Sequence, residues 1–265
     1  MAAFSHLYSS ALTQELGTDD STRLFTDARR KTAINNGFLT FVDLTECAMR
    51  QSTVTSSHAI AEYNLLSTVN VPGGDYLRLA KQGPEYHHSD SNDNVTYAAG
   101  PDLFPRREIG WLNHYEPGWR DSTAGTPRAY YERADGGQRF FGLVPPPEIT
   151  SSETGKIILP YLAKPAAMTS DTDVPFTFGS TVRTDLEPYH QAAVHYAAHE
   201  LEKLRLNEQA SQAQLQQFLG YVERYHRLSQ PKGGYQVRLG RNYFGEARRR
   251  GDLDVEQPVP YPWRS

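Results

Sequence analysis

Two histidines stand four residues apart in His195-Tyr-Ala-Ala-His199, and Glu200 follows directly. On a helix that spacing puts both imidazoles on one face, where they could hold zinc. The metalloprotease pattern sets its general-base glutamate immediately after the first histidine, and Tyr196 occupies that place here. No third ligand is fixed by spacing. The enzymatic alternative is therefore a metal-dependent hydrolase using His195 and His199. The simpler reading is two polar residues on the solvated or subunit-facing side of a helix. His87, His88, Asp90 and Asp93 form a second possible cation cluster, in a polar stretch (84–94) expected to be a loop. A nucleophilic Cys47 would need a histidine and an electropositive setting. It sits in an apolar helical stripe, so a buried structural thiol is expected. There is no Gly-rich phosphate loop, no G-x-S-x-G and no paired-cysteine motif. We expect no enzyme, and neither metal nor cofactor.

The chain after Arg227 differs in kind. Lys232, Arg238, Arg241 and the run Arg248-Arg249-Arg250 are interleaved with Tyr235, Tyr243 and Phe244, and Glu246 is the one acid before Gly251. Basic and aromatic residues together suit single-stranded nucleic acid. They equally suit docking on an acidic protein surface, where Arg, Tyr and Trp carry most of the contact energy. Tyr243, Phe244, Tyr261 and Trp263 would be costly to leave in water, which argues against a merely disordered tail. The expected docking residues are Arg238, Arg241, Tyr243, Phe244, Arg248, Arg249, Arg250, Tyr261 and Trp263. Gly233, Gly234 and Gly240 make the lead flexible, and Pro258, Pro260 and Pro262 stiffen the end.

The elements that would position these groups follow from periodicity. In residues 185–228, Tyr189, Ala192, Ala193, Tyr196, Ala197, Leu201 and Leu204 recur at helical steps, with Pro188 in the first turn and Asp185 as N-cap. The polar stretch 207–212 allows a break. Leu215, Phe218, Leu219, Val222 and Tyr225 form a second stripe, giving a helical hairpin whose alanines permit a close neighbour. Phe4 to Leu16, closed by Gly17, and a longer stripe from Leu24 to about Arg50 with a kink at Gly37, predict two N-terminal helices. Between the helical halves, 51–55, 59–65, 76–79 and 157–162 read as strands. Residues 130–132 and 140–144 flank Asp135-Gly136-Gly137, a hairpin signal. The expected fold class is α+β, mainly a helical bundle (two N-terminal helices plus the C-terminal helical hairpin), with an inserted β-rich region and an extended C-terminal arm. The expected boundaries are 1–50, 51–184, 185–228 and 229–265.

A chain of 265 residues can bury a sizeable core. A net charge of −4 gives no overall reason to expect nucleic acid binding. One cysteine excludes an intramolecular disulfide and suits a reducing compartment. No signal peptide and no transmembrane run is expected. Sixteen tyrosines and seventeen prolines suit extended, surface-contacting chain between modest helices.

Three stretches, taken in order, carry a resemblance: Glu116-Pro-Gly-Trp119-Arg120-Asp121-Ser-Thr-Ala-Gly125-Thr126-Pro127-Arg128-Ala-Tyr130-Tyr131; Gly142-Leu-Val-Pro145-Pro146-Pro147; and Leu186-Glu187-Pro188-Tyr189-His190-Gln-Ala192-Ala193-Val194-His-Tyr196-Ala197. Together they resemble the head-to-tail adaptor (head-completion) proteins of tailed bacteriophages, over residues 4–228. The resemblance implies a structural virion protein of the neck, made in the host cytoplasm and assembled as a homo-oligomeric ring, commonly twelvefold, beneath the portal protein. It further implies a channel for packaged DNA, a platform for a tail or nozzle protein, a C-terminal segment that grips the portal, and no membrane partner. A third possibility is another tail-completion protein. The Gly-Thr-Pro-Arg block is expected to be structural, with Gly125 permitting an unusual turn and Pro127 holding Thr126 extended.

Overall fold

A computed structural model describes residues 3–17, 25–67, 70–71, 74–90, 95–99, 105–150 and 153–229. The chain divides into two units, 1–225 and 226–265, and of the second only the end of one helix (226–229) is among the described residues.

A π-helical turn (His6–Ala11) leads into α1 (Leu12–Leu16), and Gly17 closes it in the left-handed region at φ 62°. The helix α2 (Asp27–Thr45) starts where Thr26 Oγ1 accepts from the Arg29 backbone N–H. It runs unbroken through Gly37 and ends at Glu46, φ 52°. Cys47 and Ala48, expected inside this helix, lie just past its end and are buried.

The strands follow. They are β1 (Met49–Ser56), β2 (Glu62–Asn64), β3 (Tyr76–Leu79), β4 (Glu85–Ser89) and β5 (Val95–Ala99). After α3 (Ile109–Tyr115) come β6 (Ala129–Asp135), β7 (Gln138–Val144), β8 (Thr154–Ala163) and the short β9 (Thr177–Phe178) and β10 (Thr181–Val182). A 3₁₀ segment (Thr184–Tyr189) carries Pro188 into α4 (His190–Leu204), and α5 (Glu208–Ser229) ends the described chain.

The ten-residue β8 is the spine of an antiparallel five-stranded sheet. β1 runs along one side of it, Met49 opposite Leu162 through Ser56 opposite Gly155. On the other side β4 pairs its first half and β3 its last residues, with β5 beyond β4. Alternation decides which face is buried: Ser52, Val54 and Ser56 of β1 point inward while Gln51, Thr53 and Thr55 stay exposed. The second sheet, β2-β7-β6, is built on a two-residue hairpin. Both Gly136 (φ 54°) and Gly137 (φ 81°) are left-handed there, the turn geometry that matches strand twist.

These sheets correct the expected class. Among the described residues 42% are helical and 27% are in strands, so the fold is α+β with antiparallel sheets and is not mainly a helical bundle. The strand share was underread because β4 carries Glu85, His87 and His88 in place of β-branched residues, so its periodicity looks like a polar loop. The sheet also has a core of its own in Val54, Tyr86, Ile157, Leu159 and Tyr161.

The helices α1, α2, α4 and α5 pack on one another. α2 and α4 approach so closely that a Cβ on Gly37 would lie 2.6 Å from the Ala193 carbonyl oxygen. Ala192, Ala193, Ala197 and Ala198 are all buried, which is the sequence reason for that approach. α5 folds back along α4, with Phe218 against Tyr196 and Tyr221 stacked on His195. The break falls at residues 205–207, where Leu206 turns left-handed at φ 59°, and Glu208 already begins α5. Asp185 lies inside the 3₁₀ segment, ion-paired to Arg183 at 2.7 Å, and does not cap α4.

Candidate functional site

The tryptophan block of the sequence converges on one cluster beside the β2-β7-β6 sheet. Trp119 opens a 3₁₀ turn (Trp119–Asp121) made possible by Gly118 at φ 90°. Its ring meets Tyr131 edge-on, centroids 4.9 Å apart, and packs with Leu112 and Val144. Trp119 Nε1 donates to Asn113 Oδ1 at 2.9 Å, so the buried indole has its one polar atom satisfied. Arg120 lays its guanidinium over the same ring, 5.0 Å from the centroid.

Tyr131 donates its hydroxyl to Glu62 Oε1 at 2.8 Å. Arg133 grips that carboxylate twice, through Nε at 3.2 Å and Nη2 at 2.8 Å, and reaches Asp135 with Nη1. The Arg133 fork holds the Glu62 carboxyl below the usual carboxylate range, while burial and then Glu62 raise the Tyr131 hydroxyl. On β7, Gly142 faces Tyr131 with no room for a Cβ before the ring. Gly125 has no left-handed φ; the unusual turn expected there belongs to Gly118. Gly125 instead ties the loop to the proline strand, its N–H donating to Pro146 O at 2.8 Å and its C=O accepting from Glu148 at 3.0 Å.

On α3, Trp111 and Tyr115 lie one helical turn apart, centroids separated by 5.1 Å. Arg107 stacks over Trp111 at 4.3 Å and His114 meets Tyr115 edge-on at 4.5 Å. Tyr115 is 64% exposed although its ring is held on two sides. Trp, Tyr and Arg in a pre-organised row have the composition of binding hot spots. The sequence reading passed over this row; the signal was the four-residue spacing of Arg107, Trp111 and Tyr115.

The expected chemical residues are dispersed. His195 and His199 are buried in the α4–α5 interface, not on a solvated face. His195 Nδ1 lies 2.7 Å from Gln214 Oε1, and His199 Nδ1 lies 2.9 Å from both the carbonyl and the hydroxyl oxygen of Ser211. Burial pushes the His199 imidazole below its ordinary value. His87 and His88 sit on β4, near Glu85 (3.2 Å) and Glu153 (3.4 Å) respectively. Asp93 is outside the described residues. Burial pushes the Cys47 thiol up to about 11, away from thiolate chemistry. Among the described residues no group of three or more His, Cys, Asp or Glu could hold a metal ion, and no helix is long and apolar enough to cross a membrane. The nine expected docking residues, Arg238 to Trp263, all lie outside the described residues.

A protein-family model described as SU10 adaptor protein matches residues 10–241. No curated protein matches.

Proposed function

The chain belongs to the SU10 adaptor protein family, a family of phage head-to-tail adaptors, and from that premise we propose a ring-forming neck protein seated between portal and tail. Membership gives a phage adaptor with a structural role, head and tail partners, and a place in the virion neck. The finer reading is ours. Copies of the chain, commonly twelve in such assemblies, form a ring beneath the portal protein, line the channel for packaged DNA, and present a platform to a tail or nozzle protein.

The observation that carries this reading is the family match, which spans α1 to α5, all ten named strands and the start of the arm. Two features of the molecule support it. The buried Trp119 cluster holds α3 in place, and the Arg107-Trp111-Tyr115 row beside it supplies aromatic and arginine contact groups, with Tyr115 exposed. The arm 229–265 supplies Arg238, Arg241, Tyr243, Phe244, Arg248, Arg249, Arg250, Tyr261 and Trp263 as the portal-docking residues. Electron micrographs of the purified chain mixed with assembled portal test the proposal. Rings stacked coaxially on portal rings are expected, and portal rings left bare at saturating protein would overturn it.

A further inference from the structure

Between the first half of α2 and the last half of α4 lies a groove of about 540 Å³. Ala33 and Leu201 form its buried floor, and Tyr196 and Leu204 its walls. Leu204 is 53% exposed, and Leu206, two residues on, is 91% exposed. Arg29 and Lys203, both exposed, stand at the mouth. The one acid among the lining residues, Glu200, is half-buried and accepts a hydrogen bond from Asn36 Nδ2 at 3.2 Å, so the lining carries two cations against one acid. An apolar floor under a cationic mouth favours an occupant that is apolar on one side and acidic on the other.

The sequence beyond the described residues contains one such segment, Asp252-Leu253-Asp254-Val255-Glu256. In extended chain its Leu and Val side chains share one face and its three carboxylates the other. Its charge is opposite to that of Arg248-Arg249-Arg250 just before it, so one uniformly charged surface cannot suit both. Some twenty residues separate it from the end of α5, a reach of about 70 Å. That is twice the roughly 33 Å length of α5 itself, enough to cross to an adjacent copy.

We propose that this acidic–apolar segment of one copy seats in the α2–α4 groove of the neighbouring copy. Leu253 and Val255 enter the apolar floor, and the carboxylates stay at the mouth beside Arg29 and Lys203. The inference rests on the ring reading, because a neighbour must be present, and it assigns the arm a second, subunit-linking role beside portal docking.

The test uses a fluorescein-labelled synthetic peptide of residues 250–258, followed by anisotropy. The receptor is the full chain carrying Leu253→Ser and Val255→Ser, so that its own segment does not compete. Saturable binding that weakens with added salt is expected. The same receptor with Arg29→Glu and Lys203→Glu should bind about tenfold or more weakly, as should the peptide with Leu253→Ser and Val255→Ser. Lys203 is exposed, so Lys203→Glu alone should leave melting unchanged and serves if the double variant melts early. No saturable binding, or equal affinity for the groove variant, overturns the inference. Portal co-sedimentation of the same variants separates the two readings. Retained portal binding without peptide binding sinks the groove alone, whereas peptide binding without portal binding upholds the groove and sinks the neck reading.

Discussion

A methyl group on Gly37 would press on the Ala193 backbone, which cannot give way without moving α4. Gly37→Ala should therefore cost stability, about 1–3 kcal/mol in denaturant unfolding, although alanine is the better helix former. A Gly37→Ala chain as stable as the parent would show that the two helices are not in contact there. Histidine titration belongs to the same scale. His190 is packed near the rings of Phe38 and Phe176 with Glu187 as its charged neighbour. His199 faces Ser211, with Lys203 and Glu208 nearby. Burial lowers both imidazoles below the unfolded value of about 6.5. The unfolded chain thus takes up protons that the native chain refuses, and stability is full above about pH 6.5 and falls as pH drops. The carboxylates held low by partners, Glu46, Glu62, Asp171 and Asp185, contribute their own loss only further down, near the ordinary carboxylate range. The melting temperature should decline between about pH 6.5 and 5 and be flatter in His199→Gln. A flat parent profile across that window would contradict the buried, neutral histidines.

The helical hairpin shows which signals survive from sequence to element. The stripe through α5 correctly marks Leu215, Phe218 and Val222 as core, but Leu219 is only half-buried. Phe218→Ala should cost about 3–5 kcal/mol, because it empties a buried site against Tyr196. Leu219→Ala should cost much less, and the comparison by chemical unfolding checks the assigned face. The Asp135-Gly136-Gly137 hairpin and β3 at Tyr76–Leu79 were legible because turn chemistry and β-branched or aromatic alternation are local. β4 was not, since its pairing with β8 is set by partners about seventy residues away and its own residues are polar. α3 was missed for a related reason. Its seven residues make only about two turns, so Ile109, Trp111, Leu112 and Tyr115 do not repeat often enough to stand out as a stripe. The Trp119 block was legible as a pattern, yet its function as a packed cluster needed Leu112 and Val144 brought to it by the fold.

At the scale of the whole molecule, an exposed Tyr115 held by its neighbours and a basic, aromatic sequence in the arm 229–265 are consistent with the proposed role of joining other proteins. In the proposed portal contact the arm's Tyr243, Phe244, Tyr261 and Trp263 supply the aromatic area and its arginines the charge. Arg248, Arg249 and Arg250 supply the densest charge in that arm, so their contribution should shrink as salt screens it. The most direct measurement is co-sedimentation of the full chain with assembled portal, for the parent and for the chain with all three arginines replaced by serine. Saturable binding by the parent, weakened in the variant and most strongly at low salt, is the predicted result. Failure of the parent to sediment with portal would contradict the adaptor account itself, and equal binding by the two chains would remove the arm from the portal interface.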